Sequence, residues 1–268
     1  MIGIFDSGLG GLTIFKEIEK VLPQYDYLYL GDNARAPYGD HSQATILQYT
    51  TEAVDYLFAA GCSFIILACN TASAEALPSI QQKILPSKYP GKNVLGVIRP
   101  LAEAAAAITK NKRIGVLGTR STINSHAYRK ELKKQNKEIM SVEQACRMLV
   151  PLIEEGFEGS PASRMILKKY IRPVQAYGVD TLILGCTHYG IIKKDIQRYI
   201  GARVQVLDSG AIVAEKLVDY LQRHPEYETK LTRGGERKFL TTENSDLVAP
   251  LAQKFLGRKV GFEQVSLI

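Results

Sequence analysis

Seven short apolar runs recur along the chain, and amphipathic stretches long enough for helices separate most of them. The runs lie at residues 2–5, 26–30, 63–68, 93–98, 113–117, 181–185 and 203–207, with weaker ones at 238–241 and 260–265. Helical patterns fill 11–21, 42–60 and 121–135 between them. A strand that is apolar at nearly every position must be covered on both faces. It reaches a parallel neighbour only through a crossover, usually a helix. The rhythm therefore predicts an α/β architecture with mainly parallel sheets. With 268 residues, 46% of them hydrophobic, the chain is long enough for two such units. No apolar run approaches the roughly 18 residues of a membrane helix. The start, MIGIFDSG, lacks the basic region of a secretory signal. A soluble, cytoplasmic protein is expected.

The chain also echoes itself. Gly61-Cys62-Ser63-Phe64-Ile65-Ile66-Leu67-Ala68-Cys69 resembles Gly178-Val179-Asp180-Thr181-Leu182-Ile183-Leu184-Gly185-Cys186, an offset of 117 residues from 69 to 186. Gly3-Ile4-Phe5-Asp6-Ser7 pairs with Gly115-Val116-Leu117-Gly118-Thr119, an offset of 112 from 3 to 115. Similar offsets in the same order predict two structurally related halves. The division is expected near Ile98, where Arg99-Pro100 follows a strand. The first domain would comprise 1–97 plus 208–224, and the second 98–207 plus 225–268.

In open parallel sheets, ligands bind beyond the carboxyl ends of the strands. Four strands here end in small or polar groups: Asp6-Ser7-Gly8, Cys69-Asn70-Thr71, Thr119-Arg120-Ser121-Thr122 and Cys186-Thr187-His188. A thiol at a strand-to-helix junction faces free helix N–H groups. Such a position can lower its pKa from about 8.5 toward neutrality and make the thiolate a usable base. Asn70, Thr71 and Thr187 suit helix N-caps, where backbone N–H groups could hold a carboxylate. Packing competes with catalysis for both Cys69 and Cys186 at this point, as a turn role does for Asp6 and a buried structural role for His188. Cys62, at the opposite strand end, and Cys146 are assigned to packing. His41, His126 and His224 have no such neighbours. No Cys-x-x-Cys pair supports a zinc site.

Other classes find less support. Gly8-Leu9-Gly10-Gly11-Leu12-Thr13 has Thr where a dinucleotide loop wants Gly or Ala. Asp32 could serve such a loop as the ribose-binding acid, but both cysteines would stay unexplained. The net charge of +7 is spread along the chain, and its densest basic stretch, at 129–134, includes acid. No nucleic-acid partner is expected, because no recognisable binding motif accompanies that charge.

Taken in order, four motifs resemble the glutamate racemase family of the aspartate/glutamate racemase superfamily. They are Ile4-Phe5-Asp6-Ser7-Gly8-Leu9-Gly10-Gly11-Leu12-Thr13, Gly31-Asp32-Asn33-Ala34-Arg35-Ala36-Pro37-Tyr38-Gly39, Ala68-Cys69-Asn70-Thr71-Ala72-Ser73-Ala74 and Leu184-Gly185-Cys186-Thr187-His188-Tyr189. The resemblance spans residues 2 to about 210. It implies cofactor-independent interconversion of L- and D-glutamate, with no metal, supplying D-glutamate for peptidoglycan and hence cell shape. It implies two similar α/β domains related by a pseudo-twofold, with the active site between them, in a homodimer. By its motifs, Cys69 and Cys186 are the acid/base pair, Asp6 and His188 assist them, and Glu154 is a further acidic helper. Asp6, Ser7, Tyr38, Gly39, Asn70, Thr71, Thr119, Thr122, Thr187 and His188 match substrate-binding positions.

The chain departs from the family pattern at Arg99, where an acid is usual, and at Arg147 and Gly190, where proline is usual. None of these is a catalytic position. A related isomerase acting on aspartate or another amino-acid derivative is the alternative. Some glutamate racemases are thought to touch DNA gyrase, and no feature here supports such a role. Regulation by a cell-wall precursor is left open.

Overall fold

The computed structural model describes residues 1–267. The strands are β1 (Ile2–Asp6), β2 (Tyr27–Gly31), β3 (Phe64–Leu67), β4 (Asn93–Gly96), β5 (Arg113–Gly118), β6 (Met140–Ala145), β7 (Thr181–Gly185), β8 (Gln205–Leu207), β9 (Arg237–Thr241) and β10 (Glu263–Gln264). They form one sheet in the order β10-β9-β2-β1-β3-β4 and a second in the order β6-β5-β7-β8. Every pairing is parallel. The central strands β1, β3 and β7 are buried at every residue, which accounts for their unbroken apolar sequences.

The internal echo has a structural counterpart. The run β2-β1-β3-β4 repeats as β6-β5-β7-β8, so β1 corresponds to β5 and β3 to β7. In such an order the connection reverses direction between the first and third strands. A crevice therefore opens at their carboxyl ends. Asp6 and Cys69 lie at or just past one pair of ends, and Thr119 and Cys186 just past the other.

Several sequence expectations need correction. The tail strands do not join the second sheet: β9 pairs with β2, register Tyr29↔Phe239, and β10 pairs with β9. The edge of β2 was free, and Phe239 completes an aromatic cluster there, its ring centroid 5.4 Å from that of Phe15. The following helix Ser245–Leu256 does reach the second lobe, where Lys254 Nζ donates to the Ile153 carbonyl at 2.6 Å. The strand expected at 93–98 ends at Gly96, because helix Ile98–Ile108 starts early with Pro100 in its first turn, where a missing N–H costs nothing. The helix expected at 121–135 is two helices, Arg120–Asn124 and Ala127–Gln135, broken where His126 adopts a left-handed φ of 54°. Strand β6 escaped the list of apolar runs because it is a half-exposed edge strand that carries Glu143 and Gln144.

No helix among the described residues is long and apolar enough to cross a membrane.

Candidate active site

Both cysteines open onto one cavity. It is lined by Ser7, Gly8, Ala36, Pro37, Tyr38, Gly39, Cys69, Asn70, Thr71, Thr119, Val150, Glu154, Cys186, Thr187 and His188. Asp6 lies behind this wall, 1% exposed, and Thr122 backs it. All of the candidate catalytic and substrate-binding residues therefore either line the cavity or touch a residue that does. Cys62 and Cys146 do not line it; both are buried, and burial raises the Cys62 thiol to about 12.

Cys69 is itself the N-cap of helix Asn70–Glu75, its Sγ accepting the Ala72 N–H at 3.4 Å. Asn70 and Thr71 thus occupy the first turn rather than the cap, where backbone N–H groups have no intrahelical partner. Sequence position alone suggested a lowered thiol pKa here. Instead the Cys69 thiol is pushed up to about 12, first by burial and then by the Asp6 carboxylate, against the helping Ser7 hydroxyl at 3.2 Å. A helix of six residues and one N–H do not outweigh complete desolvation and a nearby anion. Cys69 therefore rests as the thiol.

Asp6 is also pushed up, by burial first, although the charge of His188 and the N–H groups of Gly11 and Gly8 oppose this. Its Oδ2 accepts from Gly8 at 3.2 Å, while Oδ1 has no partner among the described residues.

On the opposite side, Cys186 precedes a 3-10 turn at Thr187–Gly190. Its Sγ lies 3.8 Å from His188 Nδ1, and His188 Nε2 lies 2.9 Å from Glu154 Oε1. Burial alone would pull His188 down. The hydrogen bonds to Cys186 and Glu154 outweigh it and hold the imidazolium up to about 10. The ring is steadied edge-on by Phe255 of the tail helix, at 5.1 Å between centroids.

The two lobes meet through hydroxyls and amides. Thr71 and Thr119 lie 2.9 Å apart at their oxygens, Thr119 and Thr122 3.0 Å. Tyr128 donates to Asn70 Oδ1 at 2.6 Å, leaving Asn70 Nδ2 buried without a partner among the described residues. A cluster of rotatable hydroxyls plus a free amide N–H is well suited to an anionic ligand. A Cβ on Gly39 would come within 2.7 Å of Thr119 Cβ, so only glycine lets these walls approach. Val150, Ala36 and Pro37 were missed as lining residues, although Ala36-Pro37 sits inside a motif the sequence had marked. Among the described residues, no cluster of three or more His, Cys, Asp or Glu side chains could hold a metal ion.

A family profile described as Asp/Glu/Hydantoin racemase matches residues 9–217. The chain is 41% identical over 268 residues to a glutamate racemase of Geobacter metallireducens, covering 99% of this chain and 96% of that protein. Among solved structures, a glutamate racemase isoform from Bacillus anthracis is similar with TM-score 0.91 and 33% identity, covering 100% of this chain and 97% of that one. A Francisella tularensis glutamate racemase in complex with D-glutamate has TM-score 0.89 and 34% identity, covering 99% and 97%.

Proposed function

From the premise that the chain belongs to the Asp/Glu/hydantoin racemase family, among its glutamate racemases, we propose that it interconverts L- and D-glutamate by two-base chemistry at Cys69 and Cys186. One observation carries this reading: two thiols from two echoed sheets line a single cavity. Racemisation removes the α-proton and returns one to the other face. A base on each side does this most directly.

The residues divide the work. One cysteine is thiolate while the other is thiol, and substrate handedness decides which. Cys69 rests protonated, ready to donate, while the His188 imidazolium lies beside the sulfur of Cys186, its Nδ1 3.8 Å from Sγ. The carbanionic state formed by losing the α-proton needs electrostatic support in a dry site. Asn70, Thr71 and Thr187 bind the α-carboxylate and spread the developing charge. Thr119, Thr122, Tyr38 and Gly39 receive the side-chain carboxylate. Ser7 and Asp6 tune the proton on Cys69, and Glu154 holds His188 in place. The biological role we infer is D-glutamate supply for peptidoglycan, in the cytoplasm, by a homodimer.

The direct test is incubation with L-glutamate in deuterated water with no cofactor added. D-glutamate carrying one solvent deuteron at the α-carbon is the expected product. No chiral inversion of glutamate, or inversion of aspartate alone, would refute the assignment.

His188 offers a further check. Its folded pKa stands above the free value of roughly 6.5, so the imidazolium persists through neutral pH. The stability it contributes is fully present below pH ~6.5 and is lost as pH rises through about 10. Nitrogen-15 spectra of the imidazole should show a protonated ring at pH 8. A midpoint near the free value would contradict the Cys186–His188–Glu154 arrangement.

A further inference from the structure

One buried acid, Asp32, has no part in the chemistry above. It follows β2 and is 0% exposed. Its Oδ2 accepts the Tyr38 hydroxyl at 2.5 Å and Arg35 Nε at 2.7 Å. Its Oδ1 accepts the Thr242 hydroxyl at 2.9 Å, from just beyond β9. Its backbone N–H donates to the carbonyl of Asp6 at 3.0 Å. Arg35 is held in turn by Glu52 and by the Tyr49 ring, 4.1 Å from the guanidinium carbon. The carboxylate therefore joins the tail to the segment bearing Arg35 and Tyr38 that walls the cavity, while the backbone of Asp32 ties it to the strand carrying Asp6.

That segment is gripped from its other side by the second lobe. Arg120 Nη2 reaches the Asp40 carbonyl at 3.0 Å and the Asp40 carboxylate at 2.9 Å, while Gly39 lies against Thr119. The wall is thus clamped between a buried carboxylate within its own lobe and the hydroxyl cluster of the other. Fully buried acids are uncommon unless paired, and hydrogen bonds to a charged acceptor are about twice as strong as neutral ones. Arg35 would keep its pair with Glu52, whereas the Tyr38 hydroxyl has no hydrogen-bonded anion but Asp32 among the described residues.

We propose that Asp32 is a positioning residue: through Tyr38 and Arg35 it fixes the 36–39 wall, and so sets how tightly the substrate's side-chain carboxylate is held. The inference rests on the reading of the cavity as a glutamate racemase site. Asp32 does not line the cavity, so its effect falls on substrate binding and not on proton transfer.

Asp32→Asn keeps the shape, removes the charge and turns an amide toward two donors. It is expected to raise KM for both L- and D-glutamate by roughly tenfold or more, the size of one lost charge-assisted hydrogen bond, with kcat within about threefold. Tyr38→Phe should raise KM as well. Combining the two should cost less than their product, since both remove the same link. An unchanged KM in Asp32→Asn, a fall confined to kcat, or effects that multiply independently would each overturn the proposal. Should Asp32→Asn fail to fold, Glu52→Gln and Thr242→Val each remove one support of the same network. A KM rise in both supports the proposal, and unchanged KM in both overturns it. Wild-type enzyme is assayed alongside. Inability of the wild type to racemise glutamate would instead overturn the reading of the site, a result distinguishable from normal wild-type turnover with an indifferent Asp32 variant.

Discussion

Cys69→Ser and Cys186→Ser are each expected to slow glutamate racemisation by at least ~10³-fold, within the span general acid–base catalysis supplies. A serine hydroxyl fits the same space but is a far weaker acid than a thiol. It neither forms the anion that takes the α-proton nor donates readily to the carbanion. Because the two enantiomers have equal free energy in water, kcat/KM must fall equally in both directions for either variant. Racemisation rates alone therefore cannot say which cysteine serves which face. Elimination from an amino acid bearing a β-leaving group can, since it needs only one deprotonation. Each variant should keep elimination from one enantiomer and lose it from the other, with opposite preferences. Full racemase activity in either variant, or the same preference in both, would end the two-base assignment.

Gly10→Ala is the second large effect. Gly10 lies in the loop after β1. A Cβ there would stand 2.3 Å from Thr187 Oγ1 and 2.5 Å from His188 Nδ1. Both neighbours are buried side chains of the opposite lobe, so neither can swing into solvent. Something must move by most of an ångström. The pieces displaced are the nitrogen beside Cys186 and a hydroxyl lining the cavity. Misplacement on this scale costs about 10²-fold in rate. Activity should fall by that factor while the thermal midpoint drops by only a few degrees, since the loop is not part of either sheet. Wild-type turnover by Gly10→Ala would mean that His188 need not stand where the structure has it.

The glycine-rich loop shows why sequence motifs alone mislead. Its spacing suggests phosphate binding, yet Gly10 is small because two side chains from the other half of the chain press on it. Nothing within 100 residues of Gly10 carries that information. Similarly, Asp32 reads as a possible ribose acid in isolation, and its three partners become visible only when Tyr38 and Thr242 are brought beside it.

The tail illustrates a different limit. The strand at 237–241 was legible as a strand, but not its partner. Any exposed parallel edge offers the same row of N–H and C=O groups. Side-chain fit decided between them, with Phe239 against Phe15 and Tyr29 on the β2 edge. Thiol acidity was misread for a related reason. The junction position of Cys69 is a local property, whereas its desolvation comes from residues scattered over the chain.

By itself the sequence determined the strand-and-helix rhythm, the echo between two halves and which residue types stand at the strand ends. These are local facts, set by hydrophobic period and by the handover from strand to helix. The tertiary structure alone decided that the strand ends of the two sheets face one cavity, that His188 is held as the cation, and that the wall bearing Tyr38 is tied down by a buried acid. Burial and electrostatic coupling depend on distances between segments far apart in the chain, and a linear pattern contains no such distances.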